Sequence, residues 1–200
     1  MNIVDVGIEM EDAQQRLAAY QNNITVFGSA RVKRTDPLFQ QAYQLAKALS
    51  NEGYNILTGA GPGIMMAANK GAYEGKSKSI GLNIELPHEQ SANPYLDECL
   101  TFEHFFSRKV MLVKHASVCV YFPGGYGTAD ELMEVLTLIQ TQKMQPMPVV
   151  LYGVDYWRPL LSWFEKLADD GYISHQDLAL MSVVDSTDEI IQIIKENVCQ

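Results

Sequence analysis

The chain has 200 residues, of which 47% are hydrophobic and 20% charged, and its formal net charge is −9. That length and composition fit one compact domain with a sizeable core. The acidic balance argues against a nucleic-acid or acidic-membrane partner, because both require a basic surface.

Residues 1–22 read as an N-terminal helical extension of a single domain spanning 1–200. They lack the basic and apolar regions of a signal peptide, and no stretch approaches the ~20 apolar residues of a membrane span, so a cytoplasmic protein is expected. ITVFGSA (24–30) is strand-like. LFQQAYQLAKALSNEG (38–53) places apolar residues at helical spacing and stops at Gly53. YNILTGAGPG (54–63) is a strand running into a glycine turn, IMMAANKGAYEG (64–75) a helix and SKSIGLNIEL (77–86) a strand. Asn93-Pro94 breaks a loop, and LTFEHF (100–105) is a short strand. SRKVMLVKHA (107–116) is a helix with Ser107 as its N-cap. SVCVYF (117–122) is a buried strand, followed by the long helix TADELMEVLTLIQTQK (128–143). PVVLYG (148–153), WRPLLSWFEKLADDGY (157–172), MSVVD (181–185) and TDEIIQIIKENV (187–198) complete the alternation. Strands separated by helices imply right-handed crossovers. The expected fold is α/β and Rossmann-like, with a mainly parallel sheet and helices on both faces. Ligands in such sheets lie beyond the C-terminal strand ends.

Three strand ends carry small residues: Gly28-Ser29, Gly59 to Gly63, and Gly124 to Gly127. GAGPG (59–63) follows the second strand and lacks the final glycine of a dinucleotide fingerprint, so it reads equally as a tight turn or a ligand contact. In YFPGGYGTADELMEVL (121–136), Gly124, Gly125 and Gly127 let an anion reach bare N–H groups at a helix start, where the dipole favours negative charge. A phosphate therefore needs no lysine there. Thr128 to Glu131 also fits a capping box, which would make both acids structural. Arg108 and Lys109 stand at a helix start, where cations oppose the dipole. They need a negative partner, such as Glu131 or a ligand phosphate.

Cys99, Cys119 and Cys199 are widely spaced and read as reduced thiols, with Cys119 in the core. His88, His104, His115 and His175 have no metal-ligand spacing. Trp157 and Trp163 read as core residues of an amphipathic helix. The helix after Glu131 is more apolar than one face requires, so its second side packs on another subunit or under the C-terminal helices.

Together the motifs resemble the LOG ("lonely guy") family of nucleoside-monophosphate phosphoribohydrolases. PGGYGTADE (123–131) matches its PGGxGTxxE signature, and Arg108-Lys109 matches the pair ahead of it. The similarity runs from FGSAR (27–31) through TGAGPGIMMAANKGA (58–72), GLNIELPHEQ (81–90) and FFSRK (105–109) to LTLIQTQK (136–143). FGSAR and LPHEQ look most like the larger bacterial branch. The resemblance implies a Rossmann-like fold, a homodimer or an assembly of dimers, and no cofactor. It implies hydrolysis of the N-glycosidic bond of a nucleoside 5′-monophosphate, AMP or an N6-modified relative, to free base and ribose 5-phosphate. Carried over by position, Arg108 and Glu131 are the catalytic pair, and Gly124, Gly125, Gly127 and Thr128 hold the phosphate. Gly28, Ser29, Glu89, Lys109 and Thr137 are further pocket candidates. Two residues depart from the family pattern: Met66, where an acid is common, and Ala60, in place of a glycine. Either could alter base preference or mark a non-catalytic nucleotide sensor or carrier. The label lysine decarboxylase also attaches to this family. That chemistry needs pyridoxal phosphate on a Schiff-base lysine, and no residue set here argues for it.

Overall fold

The computed structural model describes residues 3–85 and 91–198. The expected alternation forms: α1 (Ile3–Leu17), β1 (Asn23–Phe27), α2 (Pro37–Asn51), β2 (Asn55–Thr58), α3 (Ile64–Tyr73), β3 (Ser79–Ile84), β4 (Glu98–Phe102), α4 (Phe105–Lys114), β5 (Val118–Tyr121), α5 (Tyr126–Gln140), β6 (Val149–Tyr152), α6 (Val154–Asp169), β7 (Ser182–Val184) and α7 (Thr187–Asn197). Local chemistry sets the ends. At the start of α2 the Asp36 carboxylate accepts the Leu38 N–H at 2.9 Å and Pro37 occupies the first turn. Gly53 then supplies the positive φ of 94° that turns the chain toward β2.

The strands form one sheet, in the order β4-β3-β2-β1-β5-β6-β7, and every neighbouring pair is parallel. A parallel strand between two helical layers is apolar on both faces. In β1, Ile24 and Val26 pack with α2, α3 and α7 through Leu45, Leu49, Ala68 and Ile194. Phe27 packs the other way, with Leu17 of α1, Leu112 of α4, Leu132 of α5 and Trp157 of α6. The chain walks outward from β1 to β4, then returns to the far side of β1 with β5. The crevice beyond the ends of β1 and β5 is thus the topological switch point, the place where such sheets bind ligands.

The structure corrects several local expectations. Helix α5 begins at Tyr126 with Gly125 as an N-cap that makes no side-chain bond, so no capping box joins Thr128 and Glu131. Helix α4 begins at Phe105, which leaves Ser107 inside its first turn. Trp157 is core, but Trp163 is 49% exposed. A 3-10 helix at His175–Leu180, capped reciprocally by Ser174 and Asp177, occupies a stretch where no element was expected. Met133 and Leu136 of α5 line an apolar groove with Trp163, Phe164 and Leu180. Cys119 is fully buried, which pushes its thiol up to about 12 and leaves it inert. Among the described residues no helix is long and apolar enough to cross a membrane, and no cluster of three or more His, Cys, Asp or Glu could hold a metal.

A buried polar network ties α3 to the end of β2, the start of β3 and the turn after β2. Asn69 of α3 is fully buried. Its Oδ1 accepts the Thr58 hydroxyl at 2.5 Å and the Asn93 amide at 2.9 Å, and its Nδ2 donates to the Ser79 hydroxyl at 2.9 Å. Asn93 in turn donates to the carbonyls of Ala60 and Gly61, at 3.0 and 3.2 Å. These bonds hold Ala60 at a φ of 61°, a left-handed conformation unusual for a residue with a Cβ. Removing the centre of such a network leaves several buried groups unpaired. Asn69→Ala is expected to lower the unfolding free energy by about 2–3 kcal/mol, read by urea denaturation at unchanged m-value.

Candidate active site

Three loops converge where β1, β2 and β5 end. The Ser29 N–H donates to the Pro123 carbonyl at 3.0 Å, and the Ser29 carbonyl accepts the Ile64 N–H at 3.0 Å. Gly28 and Gly63 permit this closeness. A Cβ on Gly28 would lie 2.7 Å from the Ile64 side chain, and one on Gly63 would lie 2.2 Å from the Ser29 carbonyl oxygen. Between the loops lies a cleft of about 790 Å³. That volume is sufficient for a mononucleotide-sized ligand.

One wall is the start of α5. Its first intrahelical bond runs from the Ala129 N–H to the Gly125 carbonyl, at 3.0 Å. The amides of Tyr126, Gly127 and Thr128 precede it and have no helical acceptor. The glycines here divide by role. A Cβ on Gly124 would overlap the Thr128 hydroxyl at 2.1 Å, so Gly124 is required by packing. Gly125 and Gly127 have open space where a Cβ would stand, and neither has a positive φ. Their own packing does not call for glycine. A glycine in the first turn costs helix stability and leaves its amide bare toward the cleft. Tyr156 of α6 donates its hydroxyl to the Gly124 carbonyl and secures the loop from behind.

The opposite wall carries Arg108, only 8% exposed. Its Nε donates to the Leu82 carbonyl at 2.6 Å and its Nη2 to the Gly59 carbonyl at 3.1 Å. This resolves the cation at the helix start, because the guanidinium turns away from the α4 amides toward one carbonyl just after β2 and one within β3. Burial lowers its pKa, and the facing carboxylate of Glu131 opposes that shift. Glu131 also lines the cleft. Burial pushes its carboxyl up to about 7, with Arg108 and then Lys109 pulling the other way and Asp130 and Glu134 adding to the rise. A half-buried carboxyl near neutrality across from a buried guanidinium, with bare amides along the same helix, is an arrangement suited to acid–base or electrostatic work.

Of the residues singled out from sequence, the structure brings Gly28, Ser29, Arg108, Gly124, Gly125, Gly127, Thr128 and Glu131 to this cleft. Lys109 instead points along α5, its Nζ 2.8 Å from Asp130 and 3.0 Å from Glu134. Thr137 lies further along α5 at the apolar groove, where its hydroxyl donates to the Met133 carbonyl at 2.7 Å. Glu89 lies outside the described residues. Met66 packs beside Arg34, whose Nη2 is 3.3 Å from the thioether sulfur, while its neighbour Met65 lines the cleft. The sequence reading missed Met65, Ile84 and Phe105, which form the apolar part of the lining, and Arg31 at its rim. Phe105 left one signal, since of two consecutive phenylalanines at a helix start at least one faces outward. The carbonyls that hold Arg108 left none, because any residue supplies a carbonyl.

The fold and the cleft define a Rossmann-like protein with a nucleotide-sized crevice at its switch point. The chain belongs to the family described as "Possible lysine decarboxylase", whose model matches residues 65–194, and which is the LOG family of the motifs above. A probable cytokinin riboside 5′-monophosphate phosphoribohydrolase of Oryza sativa subsp. japonica is 29% identical over 86% of this chain and 76% of its own. A cytokinin riboside 5′-monophosphate phosphoribohydrolase of Mycobacterium marinum is 29% identical over 78% of this chain and 84% of its own. Among solved structures, the molybdenum cofactor binding protein of Rippkaea orientalis superposes with a TM-score of 0.66 at 26% identity, covering 88% of this chain and 96% of its own. Lysine decarboxylation of the kind that family name suggests uses pyridoxal phosphate, which requires a Schiff-base lysine. Among the described residues lining the cleft none is a lysine, and adjacent Lys109 is held by two carboxylates, so the residues present do not fit that cofactor.

If Gly127 serves the cleft and not the fold, Gly127→Ala should stabilise the ligand-free protein by about 0.5–1 kcal/mol in chemical denaturation. A loss of stability would assign the glycine to packing.

Proposed function

We propose that the protein is a nucleoside 5′-monophosphate phosphoribohydrolase, releasing free base and ribose 5-phosphate from AMP or an N6-modified relative in the cytoplasm. The observation that carries this reading is Glu131: a half-buried carboxyl raised to about 7 that shares a cleft with the bare amides of its own helix and interacts with the Arg108 charge. The curated relatives named above support the reaction class.

The reading assigns the phosphate to the amides of residues 125–128 and the Thr128 hydroxyl, with the helix dipole in place of a lysine. Glu131 stands about 7.5 Å along the helix axis from Tyr126. A phosphate docked at the tip then brings the ribose alongside the carboxylate. As the C1′–N bond breaks, its electron pair leaves with the base and positive charge builds on the sugar. The Glu131 carboxylate stabilises that charge and orients or deprotonates the water that adds to C1′. Arg108 is a poor proton donor even after burial, so its role is electrostatic, toward the sugar, the base or Glu131 itself. The apolar lining of Met65, Ile84 and Phe105 suits the flat face of a base. A homodimer or an assembly of dimers is part of the same proposal.

A second reading is a non-catalytic carrier of a nucleotide-like ligand. The likeness to the Rippkaea orientalis protein favours it. One experiment separates the two: incubation with AMP followed by chromatography. Adenine and ribose 5-phosphate appear if the first holds, and intact AMP is recovered if the second does. Glu131→Gln is expected to lower adenine release by at least about a hundredfold, because the amide cannot carry the charge that meets the sugar. Normal turnover by this variant would refute the assigned role. The pH dependence has a definite sign, since a carboxyl at about 7 loses its active, ionised form as pH falls. From pH 7 to pH 6 kcat/KM should drop roughly fivefold in the wild type, measured in a constant-ionic-strength buffer series, and the residual rate of Glu131→Gln should lack that limb.

A further inference from the structure

Helix α4 delivers Arg108 to the cleft but has no cap of its own. Its N-cap, His104, makes no side-chain bond to the helix, and its first turn contains no acidic residue. A brace for this end comes instead from a distant part of the chain. Glu9 of α1 reaches the start of α4, where its Oε1 accepts the Glu103 N–H at 2.5 Å and its Oε2 accepts the Ser107 hydroxyl. The same oxygen lies 3.6 Å from Nδ1 of His104. The Glu9 side chain is 14% exposed and Ser107 is fully buried. The Ser107 hydroxyl also lies 2.9 Å from the His104 carbonyl. A carboxylate in this position bridges the residue before the helix to the third residue within it and opposes the positive helix end.

Helix α1 is fastened at two further points. Gln14 meets the His115 ring, at the far end of α4, at 3.2 Å. Arg16 pairs with Glu98 and donates to the Cys99 carbonyl at 3.1 Å, both on β4 at the edge of the sheet. So α1 grips α4 at both ends and anchors itself to the sheet. The residue after Ser107 is Arg108, whose two bonds to the carbonyls of Gly59 and Leu82 tolerate little movement of the turn that carries it. Phe105, at the first position of α4, lines the cleft as well.

We propose that Glu9 is a positioning residue: its carboxylate ties the backbone before α4 to Ser107 inside it, and this brace holds the first turn of that helix where the Arg108 guanidinium reaches the carbonyls of Gly59 and Leu82. The N-terminal helix thereby becomes part of the cleft's support. A misplacement of order 1 Å in such a group is enough to lower a rate by tens of fold. The kinetic consequence rests on the hydrolase reading given above; the geometric one does not.

The test compares full-length wild type with Glu9→Ala and Glu9→Gln. The first readout needs no turnover: hydrogen exchange of the Arg108 Nε–H by NMR on protein with labelled arginine. Exchange should be at least about tenfold faster in Glu9→Ala and intermediate in Glu9→Gln, which keeps one acceptor oxygen, while the backbone amides of β1 and β5 stay protected. The second readout is AMP hydrolysis. In Glu9→Ala kcat should fall about tenfold with KM within about threefold, and Glu9→Gln should recover part of the loss. Unchanged Arg108 exchange in both variants overturns the proposal. So does uniform acceleration across all core amides, which would make Glu9 a general stability residue. If wild type releases no adenine while Arg108 exchange responds as expected, the hydrolase reading fails and the positioning role of Glu9 stands.

Discussion

The cleft depends on keeping one cation out of water. Removing a guanidinium from solvent costs several kcal/mol, and the cost is recovered only with well-placed acceptors and an opposing charge. Arg108 has both: the carbonyls of Gly59 and Leu82, and Glu131 across the cleft. Neighbouring sequence is shaped by this. A Cβ on Gly59 would lie 1.9 Å from the Arg108 Nη2, so the first glycine of GAGPG leaves room for the arginine. The last glycine of the same motif, Gly63, makes way for the Ser29 backbone. A run that resembles a nucleotide fingerprint is thus largely a packing device. The polar network around Asn69 and Asn93 fixes the carbonyls of Ala60 and Gly61 within that turn.

Most of the fold was legible because hydrophobic period and turn chemistry agree along the chain. Each strand ends at a glycine, a proline or a polar turn, and α2 announces itself by spacing, N-cap and terminal glycine together. The departures have physical causes. Trp163 has the helical spacing of a core residue, but it stands in the open apolar groove that α5, α6 and the 3-10 helix form, and so stays 49% exposed. The 3-10 helix at His175–Leu180 has too few residues to show a period, and only its Ser174–Asp177 reciprocal cap marks it.

The site was legible wherever chemistry resides in a side chain or in the absence of one. Arg108, Glu131 and the glycines fall in that class. What holds them was hidden. Backbone carbonyls carry no sequence signature, and Glu9 lies 98 positions before the hydroxyl whose hydrogen bond it accepts. No local pattern joins residues so far apart. Lys109, paired with Arg108 in sequence, serves a different purpose in space. Adjacent helical residues point about 100° apart, so one turns to the carbonyls of Gly59 and Leu82 and the other ties α4 to α5 through Asp130 and Glu134.

The starting point of α5 decides how its acids are read. Had Thr128 been the N-cap, Glu131 would stand three residues in, where it could curl back onto a backbone amide and serve the helix alone. With Gly125 as the N-cap, Glu131 is the sixth helical residue and beyond the reach of any orphan amide. No cap explains it, and its partial burial is a liability to the fold. A carboxyl that ionises near 4.5 in the unfolded chain and at about 7 in the folded one subtracts stability as pH rises through that window, because the folded state resists the charge. Asp130, one residue earlier, shows the alternative: it is exposed and satisfied by Lys109. Two adjacent carboxylates on one helix thus lie in opposite environments, one screened by solvent and a lysine, the other held between an arginine and the cleft. A fold that carries such a penalty beside bare amides gives up stability at a single point, and that point faces the cavity.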